Sequence, residues 1–405
     1  MSKANYLLLL LLVGLKFFDI KFLNFIFNYN WSYIVILGLS LFYGYWKWGR
    51  GNSNFFKNEL KYWYWILIGI CSSMIPIFIK IGQSPIHSIW IYRSILITYC
   101  CLPVLLFIRF SYQDIISATY KFSIIYAILF IVVAKYPYLV TSTYNQDGEI
   151  KLISDSDYGY SLGGIAILLF PLYSFVREYS LCKLTNKWLI LKIVFLLSLL
   201  FFIQNRSVLF PALLISLFFL LRKTYLRIII ILCVTIITFI PKLNPINNLI
   251  EQTEQETSSK DYNRNVAYTY YLSENFSSFS QFLFGKGIES THLSNQKEKN
   301  ERLYEMGIFS SDVGFLGFMN IYGVIPIIVF IIVLLKPLIH WSYFPLDVKL
   351  MSIHILICSL TISYFESFAH AIWFMLYFVL MTVTNKKYIL NNKLCLTFYY
   401  VEYIL

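Results

Sequence analysis

Long runs of apolar residues recur along almost the whole chain, and they constrain its fold more than any other feature. Crossing a bilayer as a helix takes about 20 predominantly apolar residues, and runs near this length occur about twelve times. The 405-residue chain is only 13% charged, against about 25% in a typical soluble domain. The sequence therefore predicts an all-α, polytopic integral membrane protein. We place its spans at residues 4–20, 31–48, 62–79, 88–108, 120–137, 161–177, 187–203, 207–222, 225–241, 313–335, 350–365 and 367–385.

The net charge of the chain is +12, and the positions of the basic residues along the chain indicate its membrane topology. Most of the 33 Lys and Arg residues fall in alternate segments between the predicted spans. If both termini are cytoplasmic, these segments lie on the inner side of the membrane, as the positive-inside rule requires. No basic aromatic face or recognition motif accompanies them, so we expect no nucleic-acid partner.

Seven cysteines lie within or beside apolar runs. No pair of them has the spacing of metal ligands in a polar segment. We interpret them as small buried apolar residues, and the sequence predicts neither a disulfide framework nor a metal site.

One segment, residues 242–312, divides the chain into three parts. Residues 1–241 carry the first nine predicted transmembrane helices, and residues 313–405 carry the last three with a cytoplasmic tail. The segment between them holds ten acidic and seven basic residues and is too long for a simple connector. We expect a large extracytoplasmic loop. Within it, residues 261–284 have the spacing of an amphipathic helix whose apolar side lies in lipid at the membrane interface.

Three arginines are candidates for chemistry, because charged groups at membrane depth are costly. Arg206 lies in a turn between two apolar runs, where it either reaches the lipid headgroups or binds a phosphate through its guanidinium. Arg93 lies inside the fourth predicted span and either binds phosphate or pairs with an acid. Arg264 opens the amphipathic stretch and is either a solvated loop charge or part of a site.

Further candidates follow in the long loop. Gly285 and Gly287 permit a tight turn. Asp312 is either the N-cap of the next helix or a catalytic base, and Glu289 and His292 are either bases or ordinary loop residues.

Two more polar residues, Glu366 and His370, lie at the turn between the last two predicted spans. An ionisable group beside an apolar run is more often functional than incidental. We therefore include both among the candidate pocket residues.

Taken in order, these features resemble the family of lipid-linked oligosaccharide polymerases and O-antigen ligases (Wzy-like and WaaL-like proteins). The resemblance covers residues 198–323. It comprises Asn205-Arg206-Ser207 at the head of a span, an arginine before a helix that ends in Gly-x-Gly, and a glycine eleven residues after a His-Asn pair. Arg264, Gly285-Lys286-Gly287 and Gly323 match this pattern. Asp312 stands where the ligases have the histidine, which leaves the base open among Asp312, His292 and Glu289.

The resemblance implies a GT-C-like fold of the bacterial inner membrane and a glycosyltransferase without metal or other cofactor. The substrate would be a polyprenyl-diphosphate-linked oligosaccharide, with membrane lipid and a chain-length regulator protein as further partners. Arg206, Arg264 and Arg93 would stabilise the charge of the leaving diphosphate, and a base would take the acceptor proton. A polymerase of O-antigen or capsular repeat units is the leading hypothesis. The alternatives are an O-antigen ligase, a flippase or transporter of lipid-linked oligosaccharide, and a structural membrane protein.

Overall fold

The computed structural model describes residues 1–19, 30–49, 57–136, 164–181, 186–203, 206–220, 263–275, 278–288, 303, 313–360 and 368–385. These residues form α-helices, short 3-10 turns and connecting loops, and no strand occurs among them. The described part of the chain is therefore all-α, as its sequence predicts.

The helices of the first half of the chain are α1 (Lys3–Gly14), α2 (Asn30–Trp48), α3 (Lys57–Ser72), α4 (Met74–Ile81), α5 (Pro85–Ile108), α6 (Tyr112–Lys135), α7 (Leu169–Leu181), α8 (Lys187–Ile203) and α9 (Arg206–Leu220). The helices of the second half are α10 (Asn263–Asn275), α11 (Phe279–Phe284), α12 (Phe315–Tyr322), α13 (Val324–Ile339), α14 (Leu346–Cys358) and α15 (Phe368–Thr384).

Several of these helices begin at residues that cap them. The Ser84 hydroxyl accepts a hydrogen bond from the His87 amide, and a proline follows at the first helical position of α5, where its missing N–H costs nothing. Ser111 and Asp114 form a reciprocal capping box at the start of α6, which satisfies two N–H groups that the helix leaves open. The polar residues that interrupt the apolar runs thus fix where the helices begin.

Two segments of the described chain are long and apolar enough to cross a membrane, Leu60–Lys80 and Tyr112–Val133. Other helices present large apolar side chains outward on one face. On α9 these are Phe210, Leu214 and Phe218, which recur every four residues and so share a face. Contiguous exposed apolar faces of this kind are typical of surfaces that contact lipid or a partner.

The structure divides two predicted elements. The predicted span 313–335 is two helices, α12 and α13, separated at Gly323, whose φ of 80° is outside the helical range. The predicted amphipathic helix 261–284 is also two helices, α10 and α11, and Ser278 caps the second of them. The predicted span 225–241 lies outside the described residues.

Side-chain contacts bring several helix termini to one end of the bundle. Lys3 Nζ donates to the carbonyls of Ile108 and Arg109, at 2.9 Å each, which joins the start of α1 to the end of α5. The Tyr112 hydroxyl donates to Asp347 Oδ2 at 2.7 Å, which joins the start of α6 to the start of α14. We call this the basic end, and the opposite end, where α5 begins and α14 finishes, the far end.

Several cationic side chains at the basic end lie against aromatic rings. Cations and aromatic rings both concentrate at the interfaces of membrane proteins, where the rings sit at headgroup level. The pairs are Lys47 with Trp48, Arg177 with Tyr112, Lys192 with Phe175, Lys336 with Tyr62, and Lys349 with Trp341.

Candidate functional site

Helix α10 of the long loop packs directly on the start of α12. Ala267 and Tyr271 of α10 form a small buried cluster with Val313, which precedes α12. Ala267 follows Arg264 by three residues, about one helical turn, and Val313 follows Asp312 in the chain. The cluster therefore joins the helix that carries Arg264 to the segment that follows Asp312.

The same region is fixed to the end of α14. The Phe315 amide donates to the Ser359 carbonyl at 2.9 Å, and the Tyr268 hydroxyl donates to the Leu360 carbonyl. Gly314 has a φ of 52°, and a Cβ at this position would collide with the Ser359 carbonyl oxygen. Only glycine allows this approach, so α12 starts in direct backbone contact with α14 at the far end.

The turn Gly285-Lys286-Gly287 docks onto the other end of α12. The amides of Lys286 and Gly287 donate to the carbonyls of Asn320 and Ile321 at 2.7 and 2.8 Å. The last carbonyls of a helix have no partner within it, so the turn caps α12. Both glycines have a φ of 74°, and a Cβ on Gly285 would overlap the Ile321 carbonyl. Both glycines thus have the left-handed φ that glycine permits, and the segment is in backbone contact with α12.

Residues of α5 and at the start of α4 contact the side of the turn that faces away from α12. The Ile288 amide donates to the Tyr92 hydroxyl at 2.7 Å, and this hydroxyl shares a 3.0 Å hydrogen bond with Ser73. Gln83 Nε2 donates to the Ile288 carbonyl at 3.4 Å, and a Cβ on Gly287 would collide with the Ser73 carbonyl. Helices therefore enclose the turn on both sides.

The Lys286 side chain contacts residues at the end of α10. Its ammonium forms an ion pair with the Glu274 carboxylate and lies 5.9 Å from the ring centroid of Tyr270. Gln281 Nε2 donates to the Glu274 carbonyl at 2.8 Å, which holds the corner between α10 and α11. We call α10, the turn 285–288 and α12 together the loop site.

Arg93 is the one predicted arginine whose side chain the structure describes, and it belongs to α5. Its guanidinium stacks 4.4 Å from the ring centroid of Trp90 and donates to the Trp90 carbonyl. Arg93 follows Tyr92, which contacts the loop site. The sequence predicts that Arg93 binds phosphate or pairs with an acid. The structure shows contacts of Arg93 with an aromatic ring and a backbone carbonyl of its own helix.

Three further candidates are placed by their backbone. Arg206 is the first residue of α9, Arg264 is the second residue of α10, and His370 is the third residue of α15. The head-of-helix position expected for Arg206 is confirmed. The remaining candidates, Asp312, His292, Glu289 and Glu366, lie outside the described residues.

Sequence reasoning did not single out the residues that hold the loop site in place. Tyr92, Gln83 and Glu274 look unremarkable in the sequence, because a tyrosine in an apolar run or an acid in a polar loop has many explanations. Their roles come from contacts between residues up to 205 positions apart. The sequence signal that did exist was Lys286 itself, a cation between two glycines.

A second polar cluster, at the basic end, was also missed. Asp347 is 2% exposed; it accepts from Tyr112 and pairs with Arg177 at 3.5 Å. The Tyr112 hydroxyl also shares a 2.7 Å hydrogen bond with Ser174. In the sequence, Asp347 looks like a charge in a short connector before the span 350–365, and the Tyr112 partner is 235 residues away.

Deeper in the bundle, His354 of α14 is fully buried. Its Nδ1 shares a 2.6 Å hydrogen bond with the Tyr173 hydroxyl, and its Nε2 has no hydrogen-bond partner among the described residues. Buried polar groups normally have partners. No group of three or more His, Cys, Asp or Glu side chains that could hold a metal occurs in the same part of the chain.

Comparisons with known proteins leave the family of this chain open. A scan against known protein families finds no match, and a search of curated protein sequences finds none.

Proposed function

We propose that this chain is a multi-pass membrane glycosyltransferase that joins polyprenyl-diphosphate-linked oligosaccharide repeat units into O-antigen or capsular polysaccharide. The observation that carries the proposal is the buried cluster of Ala267, Tyr271 and Val313. It anchors the helix that carries Arg264 against the segment that follows Asp312. A cation for the leaving group and a carboxylate for the acceptor would then belong to one site.

The helix positions of the two arginines support the same assignment. Arg206 and Arg264 lie in the first turns of α9 and α10, and the helix dipole disfavours cations there. Helix N-termini attract phosphate groups through their open N–H groups. Arginine therefore contributes little to the stability of either helix, and its position suits an anionic ligand.

The topology that we propose places this chemistry outside the cell membrane. Basic side chains gather where α1, α6 and α14 begin, which is the cytoplasmic side under the positive-inside rule. The loop site contacts the residues that follow α14 at the far end, which would face outward. With about twelve spans and cytoplasmic termini, the long loop would meet the headgroup of a lipid-linked substrate in the outer leaflet.

The reaction needs one bond to form and one to break. The acceptor hydroxyl oxygen bonds to the anomeric carbon of the donor glycan while the bond from that carbon to the diphosphate oxygen breaks. The electron pair leaves with the polyprenyl diphosphate, whose charge the arginines stabilise. Asp312, His292 or Glu289 takes the acceptor proton. These steps call on neither a metal nor a nucleotide.

Alanine substitution of the two arginines tests the proposal. We expect Arg206→Ala and Arg264→Ala each to abolish long surface glycan chains while the abundance of the protein stays unchanged, because each removes a diphosphate contact. Arg109→Ala is the matched control: Arg109 is exposed and lies at the basic end, so chain length should stay normal. Chains of normal length in both test variants would contradict the site.

A strain that lacks the protein separates a polymerase from a ligase. Single repeat units attached to the final acceptor indicate loss of a polymerase. Long chains that accumulate on the lipid carrier indicate loss of a ligase, which transfers finished glycan.

A flippase of lipid-linked oligosaccharide is the second candidate, and the buried polar groups of the bundle favour it. Transporters place ionisable residues inside the membrane along a substrate or proton path. The fully buried His354 is such a residue, whereas the Asp347–Arg177 pair lies at the basic end. A flippase does not by itself account for the docking of the long loop onto α12.

A further inference from the structure

The backbone of Lys286 is held more firmly than a surface loop requires. The amides of Lys286 and Gly287 donate hydrogen bonds to carbonyls of α12. The next residue, Ile288, forms hydrogen bonds with Tyr92 and Gln83. The left-handed φ of the two flanking glycines lets the backbone approach that closely. The structure therefore fixes the point from which the Lys286 side chain extends.

The ion pair of Lys286 with Glu274 does not explain why the backbone of the turn is held so firmly. The Lys286 and Glu274 side chains are 18% and 27% exposed, and ion pairs that water reaches contribute little to stability. An ion pair of this kind is readily exchanged for a stronger anion. The diphosphate of a lipid-linked sugar offers two negative charges and several acceptor oxygens, whereas Glu274 offers a single carboxylate.

The direction of the side chain links it to the proposed diphosphate site. Glu274, its partner, belongs to α10, the helix that begins near Arg264. Arg264 and Glu274 are ten positions apart, about 15 Å along the helix. Lys286 therefore adds a positive charge beside the same helix that carries Arg264.

We propose that Lys286 binds the diphosphate of the lipid-linked donor and that Glu274 is the counter-ion it exchanges for this ligand. The proposal rests on the function proposed above and adds a cation to its site. Glu274 keeps the ammonium oriented in the empty site and releases it when the diphosphate arrives. The Tyr270 ring stabilises the ammonium in both states.

Binding of polyprenyl diphosphate, without sugar, to the full-length protein in lipid nanodiscs tests this role. We expect Lys286→Met to raise the Kd at least about tenfold, since it removes a hydrogen bond between charged groups. Lys286→Arg should stay within about threefold of wild type, because charge and hydrogen bonding are kept.

Glu274→Gln is the matched control, and we do not expect it to raise the Kd. It breaks the same ion pair but leaves the lysine without its competing carboxylate, so the Kd should fall or stay unchanged. If the pair were only structural, Lys286→Met and Glu274→Gln would weaken binding alike, and that result would overturn the proposal.

Two other results separate this inference from the proposed function. If wild-type protein binds polyprenyl diphosphate and Lys286→Met, with an unchanged unfolding temperature, binds it equally well, the lysine is not a ligand while the proposed function stands. If the folded wild-type protein does not bind the probe at all, both the proposed function and this inference fail.

Discussion

Asp312 occupies the position where the ligases of the resembled family have a histidine, and this single residue bears most directly on the chemistry. A carboxylate removes a proton from a sugar hydroxyl only if it is within hydrogen-bond reach of it. The described neighbour of Asp312 is Val313, which packs against α10. A base at this position would lie near the start of the helix that carries Arg264.

Amide substitution of Asp312 therefore has a definite expected result. Asp312→Asn keeps the shape of the side chain but cannot accept the proton, so we expect the polymerisation rate to fall about 10²- to 10⁴-fold. His292→Ala and Glu289→Gln, measured in the same membrane assay with lipid-linked repeat units, should retain most of the activity. A fully active Asp312→Asn protein would exclude this residue and transfer the role to whichever of the other two is inactive.

At the scale of the elements, the docking of the glycine-lysine-glycine turn onto α12 is the feature that makes the long loop part of the bundle. Gly285→Ala should disrupt it, because the added Cβ would overlap the Ile321 carbonyl. We expect the amides of Lys286 and Gly287 to lose their protection from hydrogen exchange, and polymer length to decrease with them.

Gly82→Ala is the control for this substitution. Gly82 has a φ of 72°, close to that of Gly285, but a Cβ there meets no atom within 4 Å. Both variants carry the cost of a left-handed alanine, about 1–2 kcal/mol. Equal loss of protection in the two variants would show that the strain of a left-handed alanine, and not the lost contact with α12, causes the loss of protection.

Local sequence signals predicted some of these elements well. The apolar runs indicated several helices close to those observed, and the turn at Arg206 indicated the start of α9. The break at Gly323 was not predicted, because the apolar run continues through it. The break accompanies a close backbone approach: a Cβ at Gly323 would meet the Leu283 carbonyl, 40 positions earlier in the chain. Contacts between distant segments are not visible in local periodicity, and the same holds for the partners of Asp347.

For the molecule as a whole, two polar regions lie at different places along the bundle. Arg177, Asp347 and Tyr112 lie at the basic end, and the loop site contacts the residues that follow α14 at the far end. From the sequence, the difference between the two ends was predicted only as an excess of Lys and Arg on one side. The structure adds that the long loop forms hydrogen bonds with Tyr92 of α5, with Gln83 just before that helix, with the end of α12 and with Leu360 just after α14, which a connector would not require.

Synthesis by the purified protein tests the central claim most directly. Wild-type protein in proteoliposomes would receive polyprenyl-diphosphate-linked repeat units with no added metal or nucleotide. We predict a ladder of longer lipid-linked glycans and one polyprenyl diphosphate released for each new linkage, with no ladder from Arg264→Ala. Movement of repeat units between the two leaflets without any new glycosidic bond would contradict the polymerase and indicate a flippase.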